Sequence, residues 1–203
     1  MNIGIQRNAV SLDAEVMARS LATPEAFGEV FDRHWPSVYR YCRSRAGADG
    51  EDLAAETFRL AFDLRAAYEP DRDDARPWLL GIATNLIRNY LRRCDRGNLA
   101  MVRLCEFEEP EDGADDIAIG RAEATQLGPV LTQALEGIPS GQRDALLLMA
   151  WNGLSHEEVA ESLGIRVGTV RSRISRARFR LRARLVELGY GPGGTEPQPE
   201  LLR

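Results

Sequence analysis

Residues 106–116 (EFEEPEDGADD) contain seven acidic side chains and no basic one, and this stretch constrains the fold more than any other. It cannot bury enough apolar surface to offset its ordering entropy, and its like charges hold it extended. It therefore divides the 203-residue chain into two bodies. The expected organisation is a first body over 20–95, an acidic linker over 96–125, a second body over 126–187 and a flexible tail over 188–203. Neither body shows sustained alternation of Val, Ile, Thr and aromatic residues. The expected class is thus all-α, two small helical bundles joined by an extended acidic linker.

The net charge of −5 argues by itself against a nucleic-acid partner. Yet all 26 basic residues are arginine, and residues 162–186 hold eight of them with no acid. A chain that is acidic overall can still carry one strongly positive face. No apolar run approaches the roughly 20 residues that a membrane-spanning helix needs, so no membrane association is expected. The segment MNIGIQRNAVSLDAEVM has no apolar h-region, so no secretory signal is expected either. Cys42, Cys94 and Cys105 lie far apart with no Cys-x-x-Cys pair, and the histidines are His34 and His156. Neither a disulfide framework nor a metal site is expected from such a set, nor any cofactor, and the thiols read as inert. The expected compartment is the reducing cytoplasm.

In the first body, Thr23-Pro24-Glu25 reads as a helix start, with Thr as N-cap and Pro in the first turn. Pro36 predicts a kink or break. The segment EDLAAETFRLAFDLRAA is amphipathic, with Leu53, Thr57, Leu60 and Leu64 on one stripe and Phe58 and Phe62 beside it. A polar loop, YEPDRDDAR over 68–76, precedes a helix PWLLGIATNLIRNYLRR. Its expected apolar face is Leu79, Ile82, Ala83, Leu86 and Tyr90, while Asn85, Arg88, Asn89, Arg92 and Arg93 fall on other faces.

The second body contains a helix-turn-helix pattern. Ser155 and Glu158 form a capping box for a short helix that buries Val159, Ala160 and Leu163. Gly164 ends that helix. The next helix begins near 167–169, with Val170, Ile174, Ala177, Leu181, Leu185 and Leu188 as its apolar stripe. Arg171, Ser172, Ser175, Arg176 and Arg178 lie away from it. Arginine and serine on that face can donate to phosphates and base edges, and the planar arginine fork can pair with guanine at two atoms. Thr169 and the amides at the helix start suit a phosphate.

These residues carry a resemblance. GLSHEEVAESLGIRVGTVRSRISRAR is similar to region 4 of the extracytoplasmic-function (ECF) sigma factors, a group within the sigma-70 family. EDLAAETFRLAF is similar to the Glu-Asp-Leu-x-x-Glu-x-Phe segment of region 2 in the same family, and PWLLGIATNLIRNYLRR to its Trp-Leu-x-x-Ile-Ala-x-Asn segment. The resemblance implies a protein that binds core RNA polymerase and directs it to promoters. It implies that Thr169, Arg171, Ser172, Arg173, Ser175, Arg176 and Arg178 meet the duplex −35 element, with Arg173 and Arg178 on phosphates. Ser175 departs from several relatives, which carry a larger side chain there. The resemblance further assigns Asn85, Arg88, Asn89, Arg92 and Arg93 to the melted −10 element. The loop over 67–76 would capture an extruded −10 base, at an unstacking cost of about a few kcal/mol. Its acids, Glu69, Asp71, Asp73 and Asp74, are expected to face bases or solvent. Asp52, Leu53, Glu56, Thr57 and Phe58 match the polymerase-docking helix. An anti-sigma factor is a further implied partner, because relatives are often held inactive by one.

Two other readings stand beside this one. In the first, the chain is a stand-alone transcription regulator whose first body senses or dimerises. In the second it is an enzyme, for which no converging acid, base or nucleophile is visible, so no catalytic residue is expected. His34 reads as a packing residue, His156 as exposed, and Trp78 as a core anchor at a helix start.

Overall fold

The computed structural model describes residues 12–69, 71–96 and 128–190. The acidic linker, Cys105 and most of the tail lie outside the described residues, so the expectations for them are untouched. Among the described residues there is no strand.

The first body is built from α1 (Asp13–Ala22), α2 (Gly28–Ala46), α3 (Gly50–Leu64) and α4 (Arg76–Arg96). Short 3-10 turns at Pro24–Phe27, Gly47–Asp49 and Arg65–Ala67 connect α1 to α2, α2 to α3, and α3 to the loop before α4. Thr23 does precede a helical turn with Pro24 at its start, but its side chain makes no capping bond. Pro36 lies inside α2 without ending it. Because α1 starts at Asp13, the body begins upstream of residue 20.

The core residues of this body are Val16, Met17, Val30, Val38, Tyr41, Cys42, Ala54, Phe58, Ala61, Leu79, Leu80, Ala83 and Ile87. Two expected stripes are rotated. On α3 the inner positions belong to Leu53, Ala54, Thr57, Phe58 and Ala61, while Leu64 is 48% exposed. On α4, Leu80, Thr84 and Ile87 are buried together with Leu79 and Ala83, because this helix is covered from two sides, by α2 and α3 and by a helix of the second body.

The second body comprises α5 (128–136), α6 (Ser140–Asn152), α7 (His156–Leu163) and α8 (Val167–Glu187). In α6 the run Ala145–Leu148 is buried all round, as befits a central helix. The capping box is present: Glu158 N–H donates to Ser155 Oγ at 3.2 Å, and Ser155 N–H to Glu158 Oε2 at 2.7 Å. Gly164 ends α7 at φ +62°, a conformation that a side chain would disfavour. The apolar stripe of α8 is buried at Val170, Ile174, Ala177 and Leu181, and Leu185 and Leu188 pack against it half-buried.

The two bodies pack against each other, which the linker reading did not anticipate. α4 meets α7 so closely that a Cβ on Gly81 would stand 2.6 Å from the Ser162 carbonyl oxygen. Ser162 Oγ donates to the Pro77 carbonyl at 2.7 Å. Arg72 pairs with Glu161. Deepest in the contact, fully buried Asp144 of α6 sits 2.8 Å from Arg45 Nη1 of α2 and 2.7 Å from Arg88 Nε of α4.

Candidate nucleic-acid interface

On α8 the buried stripe leaves a contiguous outer face. Arg171, Ser175 and Arg176 are exposed on it, and Thr169, Ser172, Arg173 and Arg178 are half-buried at its margins. Ser172 Oγ donates to the Thr169 carbonyl at 2.9 Å. Its proton is thereby committed, and the hydroxyl oxygen keeps its acceptor capacity. Arg173 lies along the start of α6, 3.3 Å from where a Cβ on Gly141 would stand. Arg171 reaches Glu157 of α7 at 3.6 Å, with both side chains about two-thirds exposed; such a pair adds little stability and yields readily to a phosphate. Arg180 donates to Gln142 at 2.6 Å. The short α7 and the glycine at its end thus aim one arginine- and serine-bearing face away from the bundle.

On α4, Asn85, Asn89, Arg92 and Arg93 are exposed. Arg92 donates to the Asn89 side-chain oxygen, which leaves the amide nitrogen as the outward donor. Arg88 points elsewhere, onto Asp144. In the preceding loop, Glu69 pairs with Arg72 at 2.6 Å and Asp74 Oδ1 accepts from Arg76 N–H at 2.8 Å, while Asp71 and Asp73 are exposed. Tyr68 is buried and its hydroxyl donates to the Arg72 carbonyl at 2.8 Å. Trp78 is half-buried, edge-on to Tyr68 at 5.3 Å, in keeping with an anchor at the helix start.

The α3 residues divide. Asp52 is exposed and Glu56 half-buried, but Leu53, Thr57 and Phe58 face the core, and Thr57 Oγ1 donates to the Leu53 carbonyl at 2.7 Å. These three are placed to support a docking helix from within rather than to meet a partner side chain. The outer face is charged: Arg59 bridges Glu56 at 2.6 Å and Asp63 at 2.9 Å. Beside it, Phe31, Trp35 and Tyr39 stack along α2 with centroids 5.0 and 5.8 Å apart, and Phe58 closes on Phe31 at 4.9 Å. This aromatic row follows an i, i+4, i+8 spacing in the sequence, with Phe31 and Tyr39 among the residues that recur at the helical period.

His34, expected as a packing residue, is buried, and its ring bonds to Asp13 rather than merely packing. His156 is half-buried at the start of α7. Among the described residues, Asp13, Arg45 and Asp144 hold the most deeply buried ion pairs; isolated charges on amphipathic helices look solvated in the sequence.

The sigma-70 region 2 family matches residues 30–97, and the sigma-70 region 4 family matches residues 130–181. The ECF RNA polymerase sigma factor SigE of Mycolicibacterium smegmatis is 36% identical over 163 residues, 79% of this chain and 62% of that protein. The chain thus spans somewhat less than two thirds of that relative. SigD of Mycobacterium tuberculosis, also an ECF RNA polymerase sigma factor, is 31% identical over 88% of this chain and 85% of its own length. Among solved structures, CnrH in complex with the cytosolic domain of CnrY superposes with a TM-score of 0.62 at 26% identity, covering 86% of this chain and 97% of that one. RpoE of Bartonella quintana, solved with the anti-sigma factor NepR, shares the fold with a TM-score of 0.61 at 24% identity, covering 80% and 98%. A first body that matches region 2 is not the sensor or dimerisation module of a stand-alone regulator. The two matched regions, their order along the chain and the 31% identity to SigD over 88% of this chain make it a member of the ECF sigma factors of the sigma-70 family.

Proposed function

We propose that the chain binds core RNA polymerase and directs it to promoters, with α8 reading a duplex −35 element and α4 with its preceding loop reading a melted −10 element. The observation that carries this reading is the pair of outward polar faces on two region-matched bodies: Arg171, Ser175 and Arg176 on α8, and Asn85, Asn89, Arg92 and Arg93 on α4. Arginine forks suit guanine edges in a major groove, and asparagine amides suit the edges of unstacked bases. Asp52, Glu56 and the aromatic row at Phe31 are the surfaces of the first body offered to the polymerase. The protein works in the cytoplasm, where polymerase and promoter are; no helix among the described residues is long and apolar enough to cross a membrane. An anti-sigma factor is a further partner, in line with the complex of RpoE and the anti-sigma factor NepR. The chain carries no catalytic residue of its own.

Run-off transcription with core polymerase over a promoter library tests the whole reading. Promoter-specific transcripts that depend on the chain, with paired −35 and −10 preferences, are expected. Operator binding by the isolated chain as a dimer, with no effect on polymerase, overturns it.

A further inference from the structure

Asp13, the first residue of α1, lies upstream of the region 2 match and is 1% exposed. Its side chain collects three donors. Arg33 pairs with Oδ1. His34 Nε2 stands 2.6 Å from Oδ2, and the Ala75 backbone N–H donates to the same oxygen at 2.7 Å. The Asp13 backbone N–H donates to the Asp73 carbonyl at 3.1 Å. One residue of α1 therefore grips the chain on both sides of Asp74. Ala75 immediately precedes α4, where the first amides of a helix lack internal partners, so Asp13 acts as a cap supplied from another helix. Asp74 adds a second cap through Arg76 N–H at 2.8 Å.

From this geometry we infer that Asp13 is a positioning residue for −10 recognition. It holds segment 71–76 at the mouth of α4, with Arg33 and His34 aiming its carboxylate. The inference rests on the reading of that segment as the base-capturing loop. Asp13 itself is too deeply buried to touch DNA; it acts through Asp73 and Ala75. Asp13, His34 and Asp74 lie close enough together for a cation by distance alone. The Arg33 guanidinium on Oδ1 and the amide on Oδ2 already occupy the carboxylate, so the donors favour a hydrogen-bonded clamp over a metal site.

The test uses holoenzyme assembled from core polymerase and full-length chain, with fork-junction DNA whose −10 strand carries an abasic site at each position in turn. With the unsubstituted chain, one position should lose about tenfold in affinity when its base is removed, the scale of a lost base-stacking contact. In Asp13→Asn that loss should shrink to about twofold, with affinity for the abasic probe itself unchanged. General weakening of the fold lowers binding to every probe and does not single out one base. Asp13→Glu is the second variant: it keeps the charge opposite Arg33, and so the fold, but pushes the carboxylate out of register with Ala75. It should show the same selective loss, and it decides the matter if Asp13→Asn does not fold. An undiminished tenfold base dependence in the folded variant overturns the clamp alone. A flat abasic profile with the unsubstituted chain overturns the base-capture reading and the clamp with it.

Discussion

Arg88 Nε of α4 donates to Asp144 Oδ2 of α6 at 2.7 Å, and this bond joins the two bodies across their buried contact. Arg88 was assigned by resemblance to the −10 strand, so in this arrangement a candidate DNA ligand is engaged by the other body. Size makes the conflict general. Elements named −35 and −10 lie about 25 base pairs apart, about 85 Å of duplex at 3.4 Å per base pair. A globule of this chain length is about 40 Å across. The packed arrangement therefore cannot span both elements, so the proposed simultaneous reading requires the bodies to separate.

That separation exposes Arg45, Arg88 and Asp144 to water. Removing Asp144 leaves Arg45 buried and unpaired only while the bodies stay together, a penalty of about 3–5 kcal/mol on that state. Asp144→Ala should therefore raise the radius of gyration in small-angle scattering while the helix content in circular dichroism stays the same. An unchanged scattering curve would show that the ion pair does not hold the bodies together.

Arg176 is exposed on the outer face of α8, whereas Arg180 on the same helix is bonded to Gln142. Arg176→Ala should weaken −35 binding by about 1–3 kcal/mol and relax preference at one base pair. Arg180→Ala should leave sequence preference intact. Competition binding with −35 duplexes mutated one base pair at a time separates the two; equal preference profiles for Arg176→Ala and the unsubstituted chain refute the base contact.

What the sequence disclosed was short-range. Ser155 and Glu158 are three residues apart, Gly164 ends the same helix, and Val170, Ile174, Ala177 and Leu181 repeat at the helical period, so each was readable without knowing the rest of the fold. The α3 and α4 stripes misled because the alanines and Thr84 do not announce themselves as inward, and because α4 is covered on two sides. The Asp13–Ala75 bond, 62 residues apart, and the Arg45–Asp144 pair join distant segments. No local spacing encodes such contacts, and a single Asp or Arg on a helix looks the same whether it faces water or a buried partner.

Cys42 is fully buried in the first body, and burial pushes its thiol up to about 12, against smaller opposing effects of a Thr57 hydrogen bond and the nearby Arg45 charge. Cys94 is half-buried near the end of α4. Since the thiolate is the reactive form, iodoacetamide at about pH 8 should modify Cys94 in the folded chain and spare Cys42 until denaturant is added. Peptide mass mapping reads the outcome, and rapid native modification of Cys42 contradicts this packing.

Ile174 is 3% exposed at the centre of the α8 stripe, between Val170 and Ala177. Placing an aspartate there buries an unpaired charge, which costs several kcal/mol or forces the helix out of its site. Ile174→Asp should abolish the cooperative melting of the second body, followed by circular dichroism, while the first body keeps its helices on its own buried core of Val16, Met17, Val30, Val38, Phe58, Leu79 and Ile87. A soluble Ile174→Asp protein with two intact transitions would reverse the assignment of inner and outer faces on α8, and with it the outward placement of Arg171, Ser175 and Arg176.

Asp13 contributes to the acid sensitivity of the fold. Burial alone would raise its carboxyl, but the hydrogen bonds from His34 and Ala75 and the charges of His34 and Arg33 outweigh it and leave the group below the ordinary carboxylate value. Arg33 and His34 face it from α2, Ala75 from the loop, and Asp74 is the nearest like charge. A carboxylate lowered by folding adds stability that is present above the unfolded value, near pH 4, and is lost as pH falls through the folded value. Thermal melts should therefore drop steeply below about pH 4. Asp13→Asn, already lacking the ionised form, should melt lower at neutral pH and show a shallower acid decline. Parallel melting curves for the two proteins from pH 6 to pH 3 would place the acid-sensitive group elsewhere.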